Sequence, residues 1–310
     1  MDFIGQDILS AAQFDRGAIE SVLKNAQALL PYARKEKFGE ILNGKVLAAL
    51  FYEPSTRTRL SFETAMIRLG GRVVSAVGVQ NSSLTKGETF YDTGRVINQF
   101  ADVIAMRHSE NGSVEKLAEG AQVPVINGGD GSNEHPTQAL LDIFTIQQLH
   151  GKVDGLTIAM VGDLKYGRTV HSLSKMLSHF GVKLILVSPK ELAMPIEVKK
   201  DLMERGVQLS ETENMIEALK TADVLYMTRI QQERFDDEKE YEKFRDRYIL
   251  TRALVEQYNK KITIMHPLPR IWELTKDVDD CEGAAYFTQV QNGVAVRMAL
   301  LCMVLGVEPK

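Results

Sequence analysis

Short, almost wholly apolar runs alternate along this chain with longer stretches of helical period. Val46-Leu47-Ala48-Ala49-Leu50-Phe51 is the first run, too short for a helix and without a polar face, so it reads as a strand buried on both sides. Beyond Ser55, the residues Phe62, Ala65, Met66 and Leu69 fall at i, i+3, i+4 and i+7. That is the stripe of an amphipathic helix, which Gly70-Gly71 should stop. Residues 73–77, 103–106 and 123–126 are further strand candidates. After His150-Gly151 the rhythm restarts. A strand is expected at 157–161, a helix over about 168–179, later strands at 183–187, 223–227 and 262–265, and a last helix over about 293–305. Apolar strands alternating with helices imply parallel sheets covered on both faces. The expected fold class is therefore α/β: two doubly wound parallel-sheet domains in series, with the C-terminal helix packing back on the first. Residues 1–135 and about 290–310 are assigned to the first domain, 136–149 to a connecting helix, and 150–288 to the second.

Composition narrows the function classes. With 310 residues, 44% hydrophobic and 25% charged, the chain reads as two ordinary folded domains. A net charge of −4 gives no general reason to bind nucleic acid or an anionic membrane, so any anion site must be built locally. The start, Met1-Asp2-Phe3-Ile4-Gly5-Gln6-Asp7, lacks the basic and apolar regions of a secretory signal. No apolar run approaches the roughly 20 residues of a membrane helix. Cys281 and Cys302 are the only cysteines, too few and too distant for a zinc knuckle or disulfide framework. The expectation is a cytoplasmic protein with two reduced thiols, no metal and no cofactor.

The polar clusters stand just after predicted strands, where open parallel sheets bind ligands. Ser55-Thr56-Arg57-Thr58-Arg59 joins an expected N-cap at Ser55 to hydroxyls and arginine forks at a helix start, a combination suited to a phosphate dianion. Gly128-Gly129-Asp130-Gly131 reads as a glycine-rich turn before His135-Pro136-Thr137-Gln138, where a histidine can donate to a carbonyl oxygen and a glutamine can read an amide. Arg107 ends another strand in the same half. In the second half, Gly162-Asp163-Leu164-Lys165-Tyr166-Gly167-Arg168-Thr169 has neither the P-loop nor the dinucleotide spacing, but sets Arg168 at a helix start. Arg229 and Gln231 follow the strand at 223–227. Two arginines suit a ligand with two carboxylates. His266-Pro267-Leu268-Pro269 offers a stiff loop with free carbonyls, and residues 82–88 form a polar loop carrying Lys86. Each cluster alone also has a plain reading: a capped helix, a turn histidine, surface ion pairs or a solvated loop.

Together, and in this order over nearly the whole chain, the motifs resemble the aspartate/ornithine carbamoyltransferase family. Ser-Thr-Arg-Thr-Arg with a downstream His-Pro-x-Gln is the family's mark. The run from Met160 to Ser172, and His266-Pro267-Leu268-Pro269 where the ornithine branch has His-Cys-Leu-Pro, are similar to the aspartate branch. The resemblance implies carbamoyl transfer from carbamoyl phosphate to L-aspartate, a step of pyrimidine biosynthesis, with no covalent intermediate. Ser55, Thr56, Arg57 and Thr58 would hold the phosphate. Arg107, His135 and Thr58 would contact the carbonyl oxygen, and Gln138 the amide. Arg168, Thr169, Arg229 and Gln231 would bind aspartate, and the Pro267 and Leu268 backbone would orient the reacting amines. Ser83 and Lys86 would reach a neighbour's active site in a homotrimer, to which regulatory chains can add. The alternatives are transfer to another amine, such as ornithine, and a phosphate-ligand-binding protein without turnover.

Overall fold

The computed structural model describes residues 3–231 and 241–308, with Asn81 described in its backbone only. Met1 and Asp2, the first residues of the amino-terminal run read above, lie outside these. The chain divides into two compact units, Met1–Phe144 with Val290–Lys310, and Thr145–Gln289. Among the described residues no helix is long and apolar enough to cross a membrane.

The first unit opens with α1 (Arg16–Ala33), capped by the Asp15 carboxylate, which accepts the Ala18 N–H. Four parallel strands follow: β1 (Val46–Phe51), β2 (Arg72–Val77), β3 (Val103–His108) and β4 (Val125–Asp130), in the order β2-β1-β3-β4. Helices α2 (Arg57–Arg68), α3 (Phe90–Ile97), α4 (Ser113–Gly120) and α5 (Pro136–His150) connect or follow them. Phe62, Ala65, Met66 and Leu69 are all fully buried, as their helical spacing required. The final helix, α10 (Tyr286–Val304), begins seven residues earlier than expected, and from Val290 it belongs to the first unit. Cys302 is buried within it.

The second unit holds β5 (Thr157–Val161), β6 (Lys183–Val187), β7 (Gln208–Thr212), β8 (Val224–Met227) and β9 (Thr263–Met265), all parallel, in the order β7-β6-β5-β8-β9. Helices α6 (Arg168–Leu177), α7 (Ile196–Glu204), α8 (Met215–Thr221) and α9 (Arg252–Tyr258) cross over between them. Two parallel-sheet α/β units in series are thus the observed architecture.

Several local expectations needed correction. Ser55 is not the cap of α2: Thr56 precedes the helix, in helical geometry and without a side-chain cap bond. Gly128, Gly129 and Asp130 are not a turn but the end of β4. They are fully buried there, and a side chain at Gly128 would press on the Met106 carbonyl at 3.1 Å. Strand β7 was missed because it is a mostly exposed edge with no apolar run to mark it.

Candidate functional site

In the first sheet, β1 connects outward to β2 on one side, while β3 and β4 lie on the other. The strand order therefore reverses between β1 and β3, and a crevice opens there beyond the carboxyl ends. The sequence places its strongest motif at this point. Phe51, last of β1, pairs in register with Arg107 of β3, and the Tyr52 N–H donates to the Arg107 carbonyl at 2.9 Å. Residues 55–59 leave β1 immediately afterwards and turn into α2 at Arg57. The helix start carries the positive end of its dipole. Arg57 is exposed and Thr58 buried in that first turn.

The Arg107 side chain is fixed from two directions. Its Nε lies 3.0 Å from Glu53 Oε2, and its Nη1 lies 3.5 Å from the Gly128 carbonyl. His135 and Pro136 begin α5, with proline at the first helical position, where its missing N–H costs nothing. The His135 carbonyl accepts from the Gln138 and Ala139 amides at 3.0 and 3.3 Å, and its side chain is 3% exposed. Gln138 donates its amide Nε2–H to Asp142 Oδ1 at 2.9 Å. Its Oε1 is an acceptor that suits an –NH2 group. The structure thus brings Arg57, Thr58, Arg107, His135 and Gln138 to the carboxyl ends of one sheet.

Beneath them is a residue that sequence reasoning did not single out. Arg297 of α10 is buried and donates to Ser61 Oγ at 2.9 Å, Thr137 Oγ1 at 3.2 Å and the Gly293 carbonyl at 3.4 Å. It stands 5.1 Å over the Phe62 ring. Burial pulls its guanidinium down to about 9, with the Asp142 charge opposing the fall, so it stays a cation at neutral pH. Arg297 ties the second turn of α2 to the first turn of α5. The only signal in the sequence is a single charge within the apolar second half of the helix, Gly293–Val304.

Ser83 and Lys86 lie elsewhere, on a short 3-10 turn, Ser83–Lys86, that follows the edge strand β2. Both are exposed. Ser82 spends its hydroxyl on the Val79 carbonyl at 2.7 Å, which leaves Ser83 as the better-placed serine of this loop.

The second sheet repeats the arrangement with other side chains. Its strand order reverses between β5 and β8, where Val161 pairs with Met227 and the Thr228 N–H donates to the Val161 carbonyl at 2.8 Å. Gly162 follows at φ +121, and any side chain on it would collide with the Thr228 carbonyl oxygen. Asp163, fully buried, accepts the Lys165 and Tyr166 N–H groups at 3.1 and 2.9 Å through Oδ1. This turn delivers Arg168 and Thr169 to the start of α6. Arg229 and Gln231 come off β8, and Gln231 Nε2 donates to the Tyr166 carbonyl at 3.4 Å. Pro267 and Leu268 come off β9, Leu268 with φ +57.

Fold and site define the class: a two-unit α/β protein whose clustered cationic and polar groups stand at the switch point of each sheet. The model of the aspartate/ornithine carbamoyltransferase carbamoyl-phosphate-binding domain matches residues 6–148, and that of the Asp/Orn-binding domain matches residues 154–304. The chain is 50% identical over 307 residues to an aspartate carbamoyltransferase catalytic subunit of Thermococcus gammatolerans, covering 99% of this chain and 100% of that one. It resembles the crystal structure of Trypanosoma cruzi aspartate transcarbamoylase in complex with carbamoyl phosphate and aspartate, with TM-score 0.92, 42% identity and 98% of each chain covered. The catalytic subunit of M. jannaschii aspartate transcarbamoylase is similar too, with TM-score 0.89, 48% identity and 96% of each chain covered. This chain belongs to the aspartate/ornithine carbamoyltransferase family.

Proposed function

We propose that this chain transfers the carbamoyl group of carbamoyl phosphate to the α-amine of L-aspartate, giving N-carbamoyl-L-aspartate and phosphate, a step of de novo pyrimidine biosynthesis. The observation that carries the reading is the pairing of two unlike sites. One unit has a helix start with hydroxyls, Arg57 and Arg107; the other has Arg168 at a helix start and Arg229 just beyond a strand end. A phosphate needs the first and a dicarboxylate the second. The Trypanosoma cruzi relative is described in complexes with carbamoyl phosphate and aspartate, with N-(phosphonacetyl)-L-aspartic acid, and with carbamoyl aspartate and phosphate.

In this reading Ser55, Thr56, Arg57 and Thr58 hold the phosphate. Arg107, His135 and Thr58 donate to the carbonyl oxygen, and Gln138 accepts from the carbamoyl –NH2. Arg168, Thr169, Arg229 and Gln231 hold aspartate, while the Pro267 and Leu268 carbonyls accept from the reacting amines. The neutral amine attacks the carbonyl carbon and the carbonyl oxygen becomes an oxyanion; its collapse restores the C=O bond and breaks the C–O bond to phosphate, and the departing phosphate takes the amine proton. Donors already aimed at the oxyanion are worth about 3–4 kcal/mol each, and holding two small reactants in register contributes further.

The same reading makes the active enzyme a cytoplasmic homotrimer in which Ser83 and Lys86 serve a neighbour's site. Exposed apolar side chains on the first unit support this: Leu60 and Ile67 on α2, and Val74 and Val77 on the edge strand β2. The substrate is tested by phosphate release from carbamoyl phosphate. L-Aspartate should support turnover, with ornithine at least a hundredfold slower. Faster turnover with ornithine overturns the assignment.

A further inference from the structure

His266 ends the loop side of β9 and is 1% exposed. Its Nδ1 accepts the Leu268 N–H at 2.7 Å, and its Nε2 lies 2.8 Å from Glu273 Oε1. A backbone amide can only donate, so Nδ1 carries the lone pair and the ring proton sits on Nε2, donated to Glu273. The Glu273 carboxylate also accepts the Ile271 and Trp272 N–H groups at 3.2 and 3.1 Å. Burial raises this carboxyl, but His266 and the backbone amides outweigh it and hold the group below its ordinary range. From the other side, the His266 N–H donates to Gln289 Oε1 at 2.8 Å.

The loop so held has an unusual backbone. Leu268 stands at φ +57, in the left-handed region that a Cβ disfavours by about 1–2 kcal/mol. Such a conformation persists only where its surroundings over-determine it. Pro267 and Pro269 have no N–H, so the Leu268 N–H is the one backbone donor of this tripeptide, and it is spent on His266. Rotation of the Leu268 backbone would swing the Pro267 and Leu268 carbonyls together.

We propose that His266, locked in one tautomer by Glu273, is a positioning residue that sets the direction of the Pro267 and Leu268 carbonyls toward the amine of aspartate. This rests on the transfer reaction proposed above. His266 and Glu273 are both buried, 1% and 6% exposed. The imidazole does two jobs at once, accepting on one nitrogen and donating on the other, and a carboxamide of either length places a polar atom at only one of these two ring positions.

Two variants separate the jobs. His266→Asn keeps an acceptor two residues before the Leu268 N–H but no longer reaches Glu273. His266→Gln keeps a donor for Glu273 and gives up the short acceptor. The expected result is a loss in kcat of less than about tenfold for His266→Asn and at least a hundredfold for His266→Gln. Melting temperatures of the two variants should match. Carbamoyl-phosphate affinity, read by calorimetry without aspartate, should stay within about threefold of the parent, because its phosphate is held in the other unit. Equal kcat losses in the two variants, or losses that simply follow melting temperature, overturn the proposal. Nitrogen-15 spectra of the parent give a readout that needs no variant. The His266 ring should be neutral and protonated on Nε2 at pH 7, and a ring protonated on Nδ1, or on both nitrogens, overturns the proposal. A parent protein that makes no carbamoyl aspartate would refute the functional reading, while the tautomer remains separately readable.

Discussion

Arg57 is exposed in the first turn of α2, where the buried stripe of the helix does not include it. Its loss should leave the packing of the first unit intact and remove a charge from the proposed phosphate site. Arg57→Ala is expected to lower kcat by about a thousandfold, the cost of about 4 kcal/mol of transition-state stabilisation, with the melting temperature within about 2 °C of the parent. An alanine variant within threefold of the parent rate would sink the phosphate-site assignment. His108, its chain neighbour at the switch point being Arg107, plays a different part. The ring packs edge-on against Phe90 at 4.9 Å, and its Nδ1 accepts the Glu110 N–H at 3.0 Å. Burial pushes its pKa below the usual 6.5, against the pull of Glu110 and Glu53. The unfolded chain therefore binds the proton more readily, and stability contributed by neutral His108 is lost as pH falls below about 6.5. His150 is shifted the same way, again by burial, with Asp223 opposing. Melting temperature should thus fall between pH 7 and 5.5, and His108→Gln should flatten that slope. An unchanged slope in the variant would refute the attribution.

Helices α3 and α4 approach each other more closely than side chains permit. A Cβ on Gly120 would collide with the Tyr91 carbonyl oxygen, and one on Gly94 with the Leu117 carbonyl oxygen. Both obstacles are backbone, which cannot swing aside as a side chain would. Gly120→Ala, although it improves intrinsic helix propensity by about 1 kcal/mol, should destabilise the protein by about 3 kcal/mol through this overpacking. Denaturant unfolding measures it, and a neutral or stabilising alanine would contradict the contact. Most strands were legible as continuous apolar runs because parallel strands are buried on both faces: β1, β5 and β6 have the bounds their runs implied. The runs failed at the exposed edge β7, which carries polar residues where the equally exposed β2 carries valines, and at the glycine end of β4, where small residues replaced large ones. The cap of α2 was misread because a serine signals a cap by propensity. The geometry that decides it, Thr56 already helical, is set by how β1 delivers the chain.

At the scale of the whole molecule, the proposed trimer makes a prediction that symmetry alone quantifies. A cyclic trimer uses one heterologous contact three times, so each site pairs one face of a subunit with the other face of its neighbour. Chains carrying Arg57→Ala and chains carrying Lys86→Ala should each be nearly inactive alone. Any mixed ring contains one junction where an intact Arg57 meets an intact Lys86. Random mixing in equal amounts after dissociation makes three-quarters of rings mixed, so activity should return to about a quarter of the parent value. Hybrid trimers seen by native mass measurement with no recovered activity would refute the shared site.

The sequence by itself determined the repeated strand–helix rhythm, the family, and the polar motifs that follow the strands. These are local properties, carried by side-chain period and by residues adjacent in the chain. Tertiary structure decided what no window along the chain contains. The order β2-β1-β3-β4 brings Phe51 beside Arg107, 56 positions later. The return of α10 sets the Arg297 guanidinium between Ser61 and Thr137, positions 236 and 160 residues away. The fold also turns the His-Pro-Leu-Pro run, legible only as a stiff loop, into a loop anchored through one imidazole to Glu273. A hydrogen bond's partners are chosen by where the backbone goes, and in a parallel sheet every neighbouring strand is reached through a crossover.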